Sequence, residues 1–246
     1  MALEDYQTAL VTGASSGIGA AVVRALAGRG INVHAAARRK DRLKALAAET
    51  GCVPLELDVR NIDSVHRKLG GLTLDILVNN AGLGRGVEEM FKADLKDIDA
   101  TLETNVIGAV HVLHAVLPGM VERKRGHVVN IGSVAGLYPL RSAIYGASKG
   151  AVHLLTQNLR IELKGTGVRV TEICPGRVRT EFARVAFGET AEKEMYSGLE
   201  VLVPGDIADA ILYALDAPWR VNVSTIEITP TEQILGGQTF VPVSSR

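Results

Sequence analysis

The chain has 246 residues, of which 47% are hydrophobic, 4% are aromatic and 26 are glycine. This length suits one large α/β domain, and the glycine content is typical of a fold with many tight turns. The 27 basic and 27 acidic residues balance, which excludes an overall field that would draw the chain to nucleic acid or an anionic membrane.

The cysteines, the N-terminus and the longest apolar stretch exclude further classes. Cys52 and Cys174 are far apart and lack metal-ligand spacing, so we expect reduced thiols and no metal site. The N-terminus lacks the basic and apolar regions of a signal peptide. The apolar stretch at 106–121 contains two histidines and a proline, and it is too short and too polar to span a bilayer. We therefore expect a soluble, cytoplasmic protein.

Short apolar runs alternate with longer helical patterns. The first half has strand-like runs at 8–12, 31–37, 53–57 and 75–78, with helical patterns at 18–30 and 40–50. The second half has a helix at 98–121, a strand at 127–131, a helix at 142–164, a strand at 168–173, a helix at 204–215 and a strand at 224–229. The alternation predicts βαβ units, and runs that are apolar on both faces indicate a covered parallel sheet. We predict a single doubly wound Rossmann domain over 1–246, with a seven-stranded parallel sheet and helices on both faces.

Two segments do not follow this alternation. Residues 177–203 are polar and irregular, and they lie between the sixth strand and the next helix, where long insertions are often lids. A surface loop without a role is the alternative. The C-terminal tail, 231–246, extends past the last strand and contains the apolar Phe240 and Val241, so we expect it to dock onto a surface such as a neighbouring subunit.

A glycine-rich turn, TGASSGIG at 12–19, follows the first strand and opens the first helix. Its glycines allow a tight turn, close approach of the backbone to a pyrophosphate and packing of helix on strand, and the helix N-terminus supplies N–H groups to the anion. The spacing differs from the commoner dinucleotide fingerprint, so the strand-turn-helix context is the stronger signal. The turn residues assigned to a cofactor are Gly13, Ser15, Ser16, Gly17, Ile18 and Gly19.

The second strand ends at the position where a dinucleotide fold recognises the adenosine ribose. An acidic residue there binds the free 2′-hydroxyl of NAD, whereas this chain has Ala37 followed by Arg38 and Arg39. Guanidinium groups bind phosphate well, so this pair favours NADP. The alternative is an ordinary solvated helix start, but basic residues at a helix N-terminus are not stabilised by the helix dipole.

Tyr145 and Lys149 are four residues apart in a predicted helix, and Ser133 lies just after the fifth strand. The i, i+4 spacing places the Lys149 ammonium beside the Tyr145 phenol, and a nearby cation is expected to lower the pKa of that phenol. Such a phenol can exchange a proton in alcohol/carbonyl interconversion. Ser133 is at the sheet edge where open α/β sheets bind ligands, so it can hydrogen-bond the substrate oxygen.

Taken together, these motifs resemble the short-chain dehydrogenase/reductase family over nearly the whole chain. The hallmarks occur in the family's order, and they are the turn at 12–19, Asp58-Val59, the run NNAG at 79–82, Asn105, Ser133, Tyr145 with Lys149, and Pro175-Gly176 followed by Thr180. The resemblance implies an NADP(H)-dependent oxidoreductase acting on CH–OH groups, commonly a homotetramer paired through long helices. Here these would be the helices containing His111 and Val152.

The resemblance also implies roles for individual residues. Asp58 and Val59 would flank the adenine, and Lys149 would bind the nicotinamide ribose. Asn105 would belong to a water-linked proton relay from Lys149, although it could equally satisfy a buried backbone group. The residues implied to line the cofactor after the fourth and sixth strands are Asn80, Ala81, Gly82, Pro175, Gly176, Val178 and Thr180.

The segments 79–83, 117–123, 130–133 and 180–187 resemble the branch of the family that oxidises serine and other small 3-hydroxy acids with NADP or reduces the matching semialdehydes. Reduction of sulfoacetaldehyde, or of a bulkier ketone such as a 3-ketoacyl or secondary-metabolite intermediate, is an alternative, and so is an NADP-sensing regulator without chemistry. Arginine binds carboxylate and sulfonate in bidentate fashion. The arginines considered for substrate are Arg141, Arg177, Arg179, Arg184 and, from a neighbouring chain, Arg246.

Overall fold

The computed structural model describes residues 3–188, 190, 196, 198–234 and 240, and its strands form one parallel sheet. The strand order is β3-β2-β1-β4-β5-β6-β7. The order reverses between β1 and β4, and open α/β sheets bind ligands at such a switch point. The predicted doubly wound fold with seven parallel strands is confirmed. The strands are β1 (Thr8–Thr12), β2 (Asn32–Ala37), β3 (Val53–Glu56), β4 (Ile76–Asn79), β5 (Gly126–Ile131), β6 (Val168–Pro175) and β7 (Thr225–Ile228).

The helices connect these strands and cover both faces of the sheet. Several begin or end at residues of known capping preference: the Asn61 side chain accepts a hydrogen bond from the Ser64 N–H at 2.8 Å before α3, and Gly51 ends α2 in the left-handed conformation. The helices of the described residues are α1 (Gly17–Ala27), α2 (Lys40–Thr50), α3 (Ile62–Leu69), α4 (Leu95–Leu102), α5 (Gly108–Glu122), α6 (Val134–Leu137), α7 (Ala143–Glu162), α8 (Phe182–Phe187) and α9 (Pro204–Asp216).

Several helical regions differ from the prediction, and the short helices α6 and α8 were not predicted. Helix α3 was not predicted. The helix predicted at 98–121 consists of α4 and α5, which are joined by a π-helical turn at Glu103–Ile107. π-helical turns interrupt the regular hydrogen-bond ladder and are frequent at functional sites. This one carries Asn105, one of the predicted site residues.

The hydrophobic core lies in two layers, one on each face of the sheet, so that neighbouring residues of one strand enter different layers. Leu10 of β1 packs with α5 residues, whereas Val11 packs with residues of α1 and α9. Among the described residues one helical run, Leu95–Glu122, is long and apolar enough by length and composition to cross a membrane. Its residues Val112, Val116 and Met120 are buried in the layer that contains Leu10, which is the packing of a core helix.

Candidate active site

A cavity of about 500 Å³ lies at the carboxyl ends of the strands. Its walls come from the segments that follow β1 to β6, which brings together residues that are far apart in the sequence. Most of the predicted cofactor and catalytic residues line it. Those that do so are Gly13, Ser15, Ser16, Gly17, Ile18, Arg38, Arg39, Asp58, Val59, Asn80, Ala81, Gly82, Ser133, Tyr145, Lys149, Pro175, Gly176, Val178 and Thr180, whereas Gly19 and Asn105 do not line it.

The glycine turn is held closely against the segment after β4. Gly13 has φ +65°, and a Cβ atom there would lie 2.8 Å from Asn80 Nδ2 and 2.9 Å from the Ala81 Cα. A Cβ atom at Gly19 would lie 2.5 Å from the Gly13 carbonyl oxygen. Gly19 therefore allows the turn to pack against α1 instead of lining the cavity. The bare backbone at Gly13 and the following helix N-terminus fit a pyrophosphate.

Arg39 lies at the end of the cavity next to the glycine turn. Its Nε donates to Ser15 Oγ at 2.9 Å, and its Nη2 donates to Ser16 Oγ at 2.5 Å. Asp58 also lines the cavity and accepts a hydrogen bond from Arg60 at 2.7 Å, which lowers the pKa of the Asp58 carboxyl. A guanidinium and two hydroxyl groups at one point form a donor set that fits a phosphate group.

Ser133 and Tyr145 meet at the other end of the cavity. Ser133 is the N-cap of α6, and its Oγ accepts a hydrogen bond from the Ala135 N–H at 3.1 Å. Tyr145 is half-buried at the cavity wall, and its ring centroid lies 5.2 Å from that of Phe182. Burial raises the pKa of Tyr145 to about 12, opposed by a hydrogen bond with Ser133. The expectation that Lys149 lowers the pKa of Tyr145 below its ordinary value is therefore wrong for this structure.

Lys149 is buried beneath the strand ends, where its Nζ donates to the Ile131 carbonyl oxygen at 2.9 Å. Burial lowers the pKa of Lys149 to about 8, opposed by the nearby Glu172 and Cys174. The ammonium thus interacts with the end of β5 and with Glu172 of β6, and the helical spacing to Tyr145 does not predict these interactions.

Glu172 is a charged residue near the site that the sequence analysis missed. It lies on β6 with 1% of its surface exposed, and its carboxylate accepts from His153 Nδ1 at 2.6 Å. A side chain on Gly132, the residue before Ser133, would collide with this carboxylate. The signal in the sequence is a glutamate inside a strand predicted to be buried, because buried charges are rare unless they are paired.

Asn105 satisfies backbone groups of the segment after β4. Its Oδ1 accepts from the Leu83 N–H at 2.8 Å, and its Nδ2 donates to the Leu83 carbonyl at 2.9 Å and to Ser148 Oγ at 3.0 Å. Positioning of backbone, the alternative role considered for this residue, thus accounts for its contacts with Leu83. Asn105 Oδ1 and Lys149 Nζ nevertheless flank the same residue, Gly82.

The segment 177–203 covers one side of the cavity with its described residues. Val178 pairs with Leu202 in a short bridge, which closes the segment at its base. Phe182 and Tyr196 line the cavity between these ends. That this segment acts as a lid stays a prediction, and the position of Phe182 and Tyr196 at the cavity supports it.

The arginines considered for substrate have different surroundings. Arg177 lines the cavity and stacks over Phe240, with 4.3 Å between the guanidinium carbon and the ring centroid. Arg179 stacks over Tyr196, Arg141 bonds Glu89 at 2.8 Å, and Arg184 bonds Glu181 at 3.1 Å. Arg85, which was not predicted, also lines the cavity. Arg246 and the tail residues 235–239 and 241–245 lie outside the described residues.

The buried ammonium of Lys149 makes the stability of the chain depend on pH. The lysine pKa is 10.5 ordinarily and about 8 here, so between these values the unfolded chain binds more protons. The destabilisation caused by burying the charged Lys149 is complete below the lysine pKa of the folded state. It disappears as the pH rises to the lysine pKa of the unfolded chain. Relative to Lys149→Met, we expect the wild-type free energy of unfolding to rise by about 2 kcal/mol from about pH 8 to about pH 9.5. Denaturant unfolding measures this difference, and parallel pH profiles of the two proteins would contradict it.

The comparisons with known proteins agree with this geometry. The model of the short chain dehydrogenase family matches residues 7–190. The NADP-dependent 3-hydroxy acid dehydrogenase YdfG of Salmonella typhi is 42% identical over 239 residues, which are 93% of this chain and 96% of that protein. An uncharacterized short-chain type dehydrogenase/reductase, y4eK of Sinorhizobium fredii, is 41% identical over 237 residues, 96% of each chain.

Two solved structures show the same fold at similar identity. The closed form of a serine dehydrogenase complexed with NADP+ matches with a TM-score of 0.91 and 40% identity, covering 98% of this chain and 100% of that chain. Serine dehydrogenase from Escherichia coli matches with a TM-score of 0.81 and 38% identity, covering 93% and 100% of the two chains. The chain therefore belongs to the short-chain dehydrogenase family.

Proposed function

We propose that this chain is an NADP(H)-dependent oxidoreductase that interconverts an alcohol and a carbonyl, with a small 3-hydroxy acid such as serine, or the matching semialdehyde, as substrate. One observation carries the proposal: Ser133, Tyr145 and Lys149 lie in the same cavity as the glycine turn and Arg39. The activities for which the relatives are named support the cofactor and the substrate class.

The cofactor would lie along the predicted residues of the cavity. The glycine turn and the N-terminus of α1 would hold the pyrophosphate, Arg38 and Arg39 the 2′-phosphate, and Asp58 and Val59 the adenine. The nicotinamide end would lie between the segments after β4 and β6. Residues proposed for that end are Asn80, Ala81, Gly82, Pro175, Gly176, Val178 and Thr180. When bound, NADP(H) supplies or accepts the hydride.

The protein groups hold the substrate and move its proton. Ser133 and Tyr145 line the same end of the cavity, where Ser133 acts to lower the pKa of Tyr145, so both hydroxyl groups can bond the same substrate oxygen. Because burial keeps Tyr145 protonated at neutral pH, its hydroxyl is ready to donate a proton to a forming alkoxide during reduction. Lys149 would hold the nicotinamide ribose, and Asn105 would belong to the water-linked proton relay from Lys149.

An NADP-linked assay of substrate classes tests the function. We expect oxidation of serine with NADP+ and reduction of malonic semialdehyde with NADPH, both at kcat/KM about tenfold or more above that for a bulky ketone. Sulfoacetaldehyde is the anionic alternative, because its sulfonate needs similar recognition. Fastest turnover of the bulky ketone would contradict the substrate class, and no turnover with any of these compounds would favour the NADP-sensing regulator.

Arg177 provides the matched variant for this assay, because it is the candidate arginine at the cavity wall. Arg177→Gln should raise KM for the anionic substrates, because it removes a contact that binds the substrate and the transition state equally well. The kcat for these substrates and the KM of an uncharged aldehyde should stay nearly unchanged. Arg141→Gln is the control, because Arg141 bonds Glu89 outside the cavity lining. Equal effects on charged and uncharged substrates would exclude Arg177 as the anion-binding group.

The protein is also proposed to act in the cytoplasm as a homotetramer. Exposed apolar side chains on the two long helices support this assembly, since such patches on a soluble domain mark contact sites. Leu154 and Ile161 on α7 are 56% and 73% exposed. We expect Leu154→Glu with Ile161→Glu to halve the mass or reduce it further in light scattering, and Ile62→Lys on α3 to leave it unchanged. A wild-type monomer would contradict the proposal.

A further inference from the structure

The adenosine end of the cavity holds an anion that the chain itself supplies. Glu181, just before α8, accepts hydrogen bonds from Arg39 Nη1 at 2.8 Å and from Arg42 Nη1 at 2.8 Å. Arg184 Nη2 donates to the same carboxylate at 3.1 Å. Three guanidinium groups from two sides of the cavity therefore converge on one carboxylate, which is the arrangement that proteins use to bind phosphate.

Arg39 is the group that connects this carboxylate with the proposed cofactor site. Its Nε and Nη2 donate to Ser15 and Ser16 of the glycine turn, and its Nη1 donates to Glu181. Each nitrogen of the guanidinium thus has an acceptor within the chain. A 2′-phosphate that is to be bound by Arg39 must share these donors with Glu181 or displace it.

Both competitors carry negative charge at neutral pH. Hydrogen bonds from Arg39 and Arg42 lower the pKa of Glu181 to about 2, so its carboxyl stays ionised over the whole physiological range. A 2′-phosphate placed against Arg39 would approach this carboxylate, and two anions at one guanidinium repel each other. NAD(H) has a hydroxyl group at this position, so it would leave the Arg39–Glu181 ion pair intact.

We propose that Glu181 is a specificity-determining residue that competes with the 2′-phosphate of NADP(H) for Arg39 and Arg42. This inference rests on the proposed function, because it assumes that the cavity binds NADP(H). Because of this competition, the preference of the site for NADP(H) over NAD(H) is smaller than it would be if the arginines had no carboxylate partner. The same competition weakens NADP(H) binding and favours release of the used cofactor.

Direct binding measurements test the proposal without any substrate. The wild type and Glu181→Gln are titrated by calorimetry with NADP+, with NAD+ and with adenosine 2′,5′-bisphosphate, which carries the 2′-phosphate but no nicotinamide. Glutamine keeps the shape and one acceptor oxygen, removes the charge, and replaces the other oxygen by an N–H donor. We expect Glu181→Gln to bind both 2′-phosphate compounds about tenfold more tightly and NAD+ within about twofold of the wild type.

Glu49→Gln is the matched control. Glu49 accepts from Arg24 Nε at 2.6 Å and Nη2 at 2.8 Å, and neither residue lines the cavity. This variant also loses a surface carboxylate paired with arginine, and its affinity for all three ligands should equal that of the wild type. Thermal unfolding of each variant without ligand checks that the fold is retained.

Unchanged or weaker binding of NADP+ by Glu181→Gln overturns the proposal. The Arg39–Glu181 ion pair would then have no effect on NADP+ affinity or would strengthen it. Equal tightening toward NADP+ and NAD+ also overturns it, because the effect would not depend on the 2′-phosphate. Failure of the proposed function is visible separately, because the wild type itself would then bind neither NADP+ nor adenosine 2′,5′-bisphosphate.

Discussion

Tyr145→Phe is expected to bind NADPH with wild-type affinity and to lose about 10³-fold or more in turnover of the preferred substrate. The phenylalanine ring keeps the contact with Phe182, whose ring centroid is 5.2 Å away, so the shape of the cavity is retained. Only the hydroxyl proposed to move the proton is removed. NADPH fluorescence titration measures the binding, and steady-state NADPH consumption measures the turnover.

A second tyrosine of the same cavity serves as the control. Tyr138 lines the cavity, but its hydroxyl donates to Glu227 at 2.9 Å instead of bonding Ser133. Tyr138→Phe should therefore keep its turnover within an order of magnitude of the wild type. If Tyr145→Phe retained most of its activity, or if both variants lost the same amount, Tyr145 would not be the proton donor.

The architecture was predictable from the sequence because each strand and its following turn carry local signals. The β-branched run at 8–12 and the glycines after it predict a strand, a turn and a helix without reference to the rest of the chain. In a parallel sheet the carboxyl ends of the strands lie at one edge, so hallmarks such as Asn80, Ser133 and Gly176 are brought to one cavity by topology alone.

The details that were missed depend on contacts between distant parts of the chain. Glu181 and Arg39 are 142 residues apart, so neither suggests its partner in the sequence. Helix α3 is an exception, because Ile62, Val65 and Leu69 recur at helical spacing after the capping residue Asn61, so its signal was present in the sequence and was missed. The π-helical turn depends on how α4 and α5 pack, because local propensity does not distinguish it from a continuous α-helix.

The pKa of Tyr145 shows the same limit of local spacing. The i, i+4 relation to Lys149 is real, since both residues lie on α7 and line the cavity. Spacing gives the distance along the helix and contains no information about desolvation. Burial raises the pKa of Tyr145 and lowers that of Lys149, and these shifts outweigh the attraction that the spacing predicts.

Gly13→Ala is expected to lower the free energy of unfolding by about 3 kcal/mol and to abolish NADP+ binding. Two costs add at this position. The left-handed conformation at φ +65° costs an L-residue about 1 kcal/mol of folding free energy. The new methyl group would also lie 2.9 Å from the Ala81 Cα. Because that neighbour is backbone, the turn or the segment after β4 must move, and the surface that holds the pyrophosphate moves with it.

Gly51→Ala separates these two costs. Gly51 has φ +72° at the end of α2, and a Cβ atom there would meet nothing within 4 Å. The free energy of unfolding of this variant should fall by only about 1 kcal/mol, because only the left-handed conformation is unfavourable for alanine. The variant should bind NADP+ as the wild type does. Denaturant unfolding and calorimetric titration of both variants measure the two effects. If Gly13→Ala lost no more stability than Gly51→Ala and still bound NADP+, the close approach of the turn to the segment after β4 would not support the cofactor site.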